Sequence, residues 1–511
     1  MRLTELIEGS GLEREGAAGA NPLVLGLGAD SREVKAGFLF AALAGARRDG
    51  CRFAGEAVAR GAVAILTDRP DALSLSPDER QRVLILCDPN PRRRLALLAA
   101  RFYGRQPRII AAVTGTNGKT SVVHFTREIW TALGFAAASL GTLGLLAPNG
   151  RRPGSLTTPD PVALHKDLAA LSEAGVEHLA IEASSHGLDQ FRLDGLSPAA
   201  AAFTNLSRDH LDYHGDMARY RAAKERLFEV LLNPSGTAVL NADSGEFARL
   251  SSLCREHGHP VLAYGRAGTA DLRLLAAEPR PEGQSLTLDI LGERRTVVLP
   301  LFGDFQALNA LAALGLAIAA GALAPAAAAA LARLGGVPGR MQRVSSREDG
   351  PLVIVDYAHT PDALAAALTA LRPYARDARD ARDARGRLAV LFGCGGDRDK
   401  GKRALMGKIA AERADRVYVT DDNPRSELPA EIRRAILEGA PDAIEISDRR
   451  RAIAAAIAEL RPEDVLLVAG KGHERSQIIG EEARPFDDCA VAREILLRPF
   501  DGLRAEDSRD G

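Results

Sequence analysis

The chain has 511 residues, too many for one hydrophobic core and enough for about three domains. Hydrophobic residues make up 46% and charged residues 26%, a soluble globular balance, and a net charge of −1 gives no field to draw nucleic acid or an anionic membrane. Five cysteines (51, 87, 254, 394 and 489) lie far apart with no C-x-x-C pair, which excludes a disulfide frame or a cysteine zinc site and fits reduced thiols in a cytoplasm.

The opening residues, Met1-Arg2-Leu3-Thr4-Glu5-Leu6-Ile7-Glu8, carry acids where a signal peptide needs an apolar run. A cytoplasmic protein is expected. Residues 1–105 alternate short apolar strands, such as Val63–Leu66 and Val83–Leu86, with helical stretches, which predicts a smaller N-terminal α/β domain. Gly104-Arg105-Gln106-Pro107 reads as a linker to the next domain.

Residues 106–337 carry the most informative stretch. The apolar run Ile109–Val113 predicts a buried strand, and Val122–Leu133 predicts a helix. Between them stand Gly115, Thr116, Asn117, Gly118, Lys119, Thr120 and Ser121. Glycines at such a turn let backbone N–H groups approach a polyphosphate, and the helix N-terminus adds positive partial charge. Lys119 can reach terminal phosphates and the Thr120 hydroxyl can ligate Mg²⁺, so a nucleoside triphosphate is the expected ligand. The eight-residue P-loop pattern is incomplete, because Val113 stands where its first glycine belongs.

Further strands are predicted to end at Glu182, Asn205 and Asn241. Alternating strands and helices predict a mostly parallel sheet covered on both faces, with ligands beyond the carboxyl ends of its strands. Mg²⁺ needs hard oxygen ligands, and Glu182 at a strand tip can supply one beside Thr120. The segment Asn205–Gly215 is dense in polar groups, and His210 there is a candidate ligand to a second Mg²⁺. Lys224 sits in a helical stretch and, by pattern alone, is a surface lysine. The apolar run Ala310–Ala324 is too short to span a bilayer and predicts a buried helix pair.

Residues 338–511 place strands at Leu352–Val355, Leu388–Phe392, Val417–Thr420 and Val465–Val468, a second doubly wound, Rossmann-like α/β pattern. Three polar turns follow them: Gly393–Arg403, Asp421–Arg425 and Gly470–Glu474. Together they offer arginine forks for a carboxylate and acids for an ammonium, a set suited to a zwitterion. The Arg-Asp-Ala repeat at 375–385 reads as a solvated insertion without chemistry.

These motifs, in this order, resemble the Mur ligases, the ATP-dependent amide-bond-forming enzymes of peptidoglycan synthesis. The match runs from Asp30-Ser31-Arg32 to the last strand. The family's phosphate loop lacks the first glycine, as this one does; Ser121, where threonine is common, keeps the hydroxyl. The resemblance implies three domains, 1–105 for a uridine nucleotide, 106–337 for ATP and 338–511 for an incoming amino acid. It places Ser31, Ala46, Arg47 and Arg48 near the uridine part, and Thr157, Thr158, Ser184, Gln190 and Arg192 around a muramoyl-dipeptide. Lys224 matches a lysine carbamylated in the family, which replaces a cation that would repel Mg²⁺ with an anion. Asn309, Arg340, Asp356 and His359 match positions near adenine, ribose and phosphates. Arg398, Asp422, Asn423, Pro424, Arg425, Gly470 and Glu474 match the amino-acid pocket.

Asp422-Asn423-Pro424-Arg425 resembles the sequence of members that add meso-diaminopimelate, where the arginine grips a distal carboxylate that lysine lacks. The resemblance therefore implies UDP-N-acetylmuramoyl-L-alanyl-D-glutamate, meso-diaminopimelate and ATP as substrates, with Mg²⁺, no nucleic acid, no membrane insertion and a monomeric state. Lys119, Lys224 and His210 are the implied catalytic residues. Three alternatives stay open: an L-lysine-adding member, a folylpolyglutamate-synthase-like ligase, and a nucleotide-gated scaffold without chemistry.

Overall fold

The computed structural model describes residues 1–16, 20–45, 48–154, 156–344, 350–375 and 386–497. They form two compact units. One holds Met1–Leu272 with Ala312–Ala327; the other holds Arg273–Leu311 and the described residues from Ala328 onward.

The first unit begins with a five-stranded sheet in the order Glu13–Gly16, Leu84–Cys87, Ala64–Thr67, Phe38–Ala41, Gly26–Gly28. All neighbours are parallel except the edge strand Glu13–Gly16. Successive residues of a strand face opposite sides. Leu39, Leu66 and Leu86 thus pack on Leu95 and Leu98, while Phe40, Ile65 and Ile85 pack on Ala54 and Ala57. Asn90 caps the helix Pro91–Tyr103, and Gly104 ends it in the left-handed region at φ +67°.

A larger sheet follows in the same unit. Within this unit its strands run in the order Val261–Gly265, Thr237–Asn241, Ala200–Phe203, Ile109–Thr114, His178–Glu182, Ala137–Gly141, then the short strands Gly144–Ala147 and Gly150–Arg152. The first six run parallel and the last two antiparallel. Ile110, Ala111, Ala112 and Val113 are all buried, as a parallel strand covered on both faces requires. The chain leaves Ile109–Thr114 for one side of the sheet and later returns to pair Ala200–Phe203 on the other. This is a topological switch point, where open α/β sheets form their ligand crevice. Register sets Glu182 beside Val113, and Phe203 beside Thr114.

The second unit carries a six-stranded sheet: Gln342–Arg343, Leu352–Asp356, Val465–Ala469, Leu388–Phe392, Arg416–Val419, Ile444–Glu445. Only Gln342–Arg343 is antiparallel. Ile354, Val390 and Leu467 face one core; Val353, Leu391 and Leu466 face the other. The carboxyl ends of its central strands share one edge, so the three polar turns noted in the sequence emerge side by side. This unit also holds an antiparallel ladder, Gly283–Ile290 against Glu293–Leu299, that the sequence reading did not place. Its alternating burial and the turn at Leu291 (φ +55°) and Gly292 (φ +89°) are the marks of a hairpin.

The apolar run around residue 315 forms two helices, Asp304–Ala319 and Ala324–Ala330, with Ala310 to Leu314 fully buried. Among the described residues no helix is long and apolar enough to cross a membrane. Most of the Arg-Asp-Ala repeat, 376–385, lies outside the described residues.

Candidate active site

The strand Ile109–Thr114 enters its turn through Gly115 at φ +142°, and the helix Lys119–Ala132 leaves it after Gly118 at φ +88°. A Cβ on Gly115 would stand 1.9 Å from Thr204 Oγ1, so no other residue fits. The neighbouring strand end holds the turn in shape. Thr116 N donates to Asn205 O at 2.8 Å, Asn117 N to Asn205 Oδ1 at 2.9 Å, and Thr204 Oγ1 to Asn117 O at 2.6 Å. Lys119 Nζ donates to Gly115 O at 2.9 Å and Thr116 O at 2.7 Å, inside its own turn.

Thr120 Oγ1 donates to Glu182 Oε2 at 3.1 Å. Glu182 is buried and also accepts from Thr142 N at 2.7 Å and Thr142 Oγ1 at 3.2 Å. A Cβ on Gly141 would lie 2.2 Å from Glu182 Oε1, so a glycine there makes room for the carboxylate. Thr120 and Glu182 thus present hard oxygens side by side, the donor set that Mg²⁺ takes.

Several predicted substrate residues gather next to this pair. Thr158 Oγ1 donates to Glu182 O at 2.8 Å and lies 2.9 Å from Ser184 Oγ; Thr157 Oγ1 is 3.2 Å from Thr142 Oγ1. Arg192 donates to Thr158 O at 2.8 Å and to Gln190 Oε1 at 2.7 Å. Gln190 in turn donates to the Tyr213 hydroxyl at 3.0 Å. All five predicted residues of this group therefore share one hydrogen-bonded patch.

Lys224 is buried, which corrects the surface position that the helical pattern predicts. The helix Met217–Arg226 turns it inward, its Nζ donates to Gly115 O at 2.7 Å, and it lies 4.4 Å from the Tyr220 ring centroid. Burial, then the charge of Lys119, push its ammonium well below the usual lysine range. A neutral amine is the form that attacks CO₂, so the site suits carbamylation.

His210 adopts the left-handed region at φ +53°. Its ring meets His186 edge-on at 4.9 Å, and His186 lies tilted against Tyr213 at 4.1 Å. Burial, then His210 and His214, lower the His186 imidazole to about 4. The structure brings Thr120 and Glu182 together and sets His210 among aromatic rings. Among the described residues no three His, Cys, Asp or Glu side chains gather as a metal cage.

In the turn that follows the strand Gly26–Gly28, Ser31 Oγ donates to Glu56 Oε2, on the helix Ala54–Ala59, at 2.8 Å. Arg48 is exposed, and Ala46 and Arg47 lie outside the described residues.

The second unit holds the remaining candidates. Asn309 donates to Gln306 Oε1 at 3.0 Å, and the Arg340 guanidinium stacks 4.2 Å above Tyr357. Asp356 accepts from Met341 N at 2.7 Å and Ala358 N at 2.8 Å, while burial pushes its carboxyl up. His359 Nδ1 lies 2.8 Å from Tyr357 O. On the strand edge, Asn423 Nδ2 donates to Glu474 Oε2 at 2.9 Å, and Arg425 (φ +51°) donates to Gly396 O at 2.7 Å. Pro424 lies between them, Arg398 stands on the facing glycine-rich turn, and Gly470 at φ +109° leaves 2.7 Å between a Cβ and Asp422 Oδ2. The buried pair Arg449–Asp488, at 2.7 Å, ties these turns down. Arg449 also donates to Ala469 O at 2.9 Å and Asp421 O at 3.4 Å.

Three family descriptions match: the Mur ligase family catalytic domain over residues 24–103, the Mur ligase middle domain over 113–317, and the Mur ligase glutamate ligase domain over 339–472. A UDP-N-acetylmuramoyl-L-alanyl-D-glutamate–2,6-diaminopimelate ligase of Bradyrhizobium diazoefficiens is 52% identical over 480 residues, covering 93% of this chain and 95% of that protein. The chain belongs to the Mur ligase family. A Mesorhizobium japonicum protein of the same name is 49% identical over 482 residues, covering 94% and 96% of the two chains. A solved structure, also titled as that ligase, aligns with a TM-score of 0.69 at 34% identity, over 93% of this chain and 94% of the other.

Within this Mur ligase, sequence reasoning missed Lys471, Arg449, Asp488, Thr142, His186 and His214. Lys471 had a signal, since it sits inside the glycine-flanked segment already singled out. Arg449 and Asp488 had none, because their pairing joins residues 39 positions apart.

Proposed function

We propose that this chain is an ATP-dependent ligase that joins meso-2,6-diaminopimelate to UDP-N-acetylmuramoyl-L-alanyl-D-glutamate, releasing ADP and phosphate, in cytoplasmic peptidoglycan precursor synthesis. The observation that carries the acceptor is Arg425, held on the same strand edge as Asp422, Asn423 and Glu474. An arginine fork there suits a carboxylate that L-lysine lacks, and the adjacent acids suit an ammonium. The names of relatives that span nearly the whole chain support the same reading.

The γ-carboxylate of the D-glutamyl residue attacks the γ-phosphorus of ATP and ADP leaves, giving an acyl phosphate. The acceptor amine then attacks the acyl carbon and expels phosphate. Catalysis here is placement and charge neutralisation. The turn Gly115–Gly118 cradles the phosphates, and Lys119 exchanges its carbonyl partners for phosphate oxygens. Thr120 and Glu182 would hold Mg²⁺, which screens negative charge on the transferring group. A carbamylated Lys224 would help position a second Mg²⁺, and His210 would be a ligand to it. Thr157, Thr158, Ser184, Gln190 and Arg192 grip the muramoyl-dipeptide, and Ser31 with Ala46, Arg47 and Arg48 grips the uridine end. Asn309, Arg340, Asp356 and His359 attend the nucleotide; Arg398, Asp422–Arg425, Gly470 and Glu474 take the acceptor. Water must be kept from the acyl phosphate until the amine arrives. Three domains, 1–105, 106–337 and 338–511, divide this work within one chain, so a monomer suffices.

The test is ADP formation with the uridine-linked dipeptide and meso-diaminopimelate, L-lysine or L-ornithine in turn. Turnover with diaminopimelate alone is expected. Equal turnover with L-lysine would overturn the acceptor assignment, and turnover with folate and glutamate would replace the whole reading.

A further inference from the structure

Lys471 is fully buried, a costly place for an ammonium unless the fold needs its charge. Its Nζ donates to Asn423 Oδ1 at 3.0 Å and Glu474 Oε2 at 3.2 Å, and lies 3.9 Å from Asp422 Oδ1. The Asn423 amide is fixed from both sides. Its Oδ1 accepts from Lys471 and from Ile478 N at 2.9 Å, which turns Nδ2 toward Glu474 Oε2 at 2.9 Å.

The charges around Lys471 count simply. Two carboxylates, Asp422 and Glu474, face one ammonium, so one negative charge is left for one ligand ammonium. On the facing side, Arg425 and Arg398 supply positive charge for the ligand's carboxylate end. The nearby Arg449 does not change this count, because its guanidinium is spent on Asp488.

We propose that Lys471 is a positioning residue that sets acceptor specificity: as the pocket's internal counter-ion, it limits the acidic side to one free charge and so selects a zwitterionic terminus over a bare ammonium. This inference rests on the proposed acceptor reading. Without the lysine, the pocket carries one more negative charge and Asn423 Oδ1 loses one of its two donors. A diaminopimelate carboxylate is then repelled, while the terminal ammonium of L-lysine gains.

The experiment compares wild type, Lys471→Met, Lys471→Gln and Lys471→Arg as full-length proteins, by ADP formation with meso-diaminopimelate and with L-lysine. In either neutral variant, KM for diaminopimelate should rise about tenfold or more with a much smaller change in kcat. The ratio of kcat/KM for lysine to that for diaminopimelate should rise by a similar factor. Lys471→Arg, which keeps the charge, should hold the wild-type ratio. Two neutral variants are included so that if one does not fold, the other still gives the ratio. An equal loss for both acceptors means a merely structural role and overturns the inference, as does a shift toward diaminopimelate. A wild type that does not turn over diaminopimelate overturns the acceptor reading itself, and this inference with it.

Discussion

Two lysines meet at a single carbonyl. Gly115 O accepts from Lys119 at 2.9 Å and from Lys224 at 2.7 Å, yet the two serve different ends. Lys119 folds back into the turn that cradles phosphate, and Lys119→Ala removes a cation at the transferring phosphoryl group. The expected loss is roughly 3–4 kcal/mol of transition-state stabilisation, or two to three orders of magnitude in kcat, by analogy with a single lost oxyanion donor. Steady-state ADP release measures it, with a melting temperature to show that folding is intact. Lys224 is buried, and burial together with the charge of Lys119 favours its neutral amine over the ammonium. Stripping CO₂ and bicarbonate should therefore lower the activity reversibly. Lys224→Arg should be inactive and deaf to added bicarbonate; a wild type indifferent to bicarbonate would count against carbamylation. Neither lysine's environment was legible from spacing. Lys119 was found by its motif. The helix around Lys224 is so polar that this buried cation looked like the outward ones.

Elements were easier to read than their neighbours. Continuous apolar runs marked most of the central parallel strands, because a strand buried on both faces has no polar alternation to hide in, but Phe38–Ala41, Ala137–Gly141 and Val261–Gly265 went unplaced. The ladder Gly283–Ile290 with Glu293–Leu299 escaped notice because one of its faces is polar and period two is a weaker signal. The strut Arg449–Asp488 shows what patterns cannot give: both partners sit on helices, in Arg449–Ala458 and Asp488–Leu497, and only the fold joins them. Asp488→Ala strands a buried guanidinium and should cost about 3–5 kcal/mol, whereas Arg449→Met with Asp488→Leu should recover much of it. Urea unfolding of the single and double variants checks this. The glycine-rich turn has its own acid-sensitive clasp. Arg403 donates to Glu427 Oε1 at 2.9 Å, and that bond above all lowers the Glu427 carboxyl to about 2 from 4.5. A depressed carboxyl stabilises the fold above its unfolded value and loses that contribution as protons bind the folded form. Wild type and Glu427→Gln should thus differ near neutral pH and converge as the pH falls from 4.5 toward about 2. Hydrogen exchange on the turn Gly393–Gly401 reports the convergence.

At the scale of the molecule, each unit has its own cores, and this predicts unfolding in more than one step. Calorimetry should give a total enthalpy larger than the van't Hoff value, whereas equal values would mean one cooperative block. A non-hydrolysable ATP analogue at a hundred times its Kd should stabilise the form that binds it by about 2.7 kcal/mol. Composition had set the plan, since 511 residues cannot close around one core. The candidate site was legible wherever a motif or a strand tip marked it, as at Gly115–Thr120 and Glu182, and illegible where only the fold brings a partner in, as with Thr142 on Glu182. The turn that holds Lys119 has one more consequence. Its ammonium is already satisfied by two carbonyls of its own chain, so any small anion must win it from them. Orthophosphate, the by-product, offers too few other grips to win that contest. Spent phosphate should therefore clear quickly and be a feeble inhibitor, while a nucleotide anchored along its whole length pulls the lysine free.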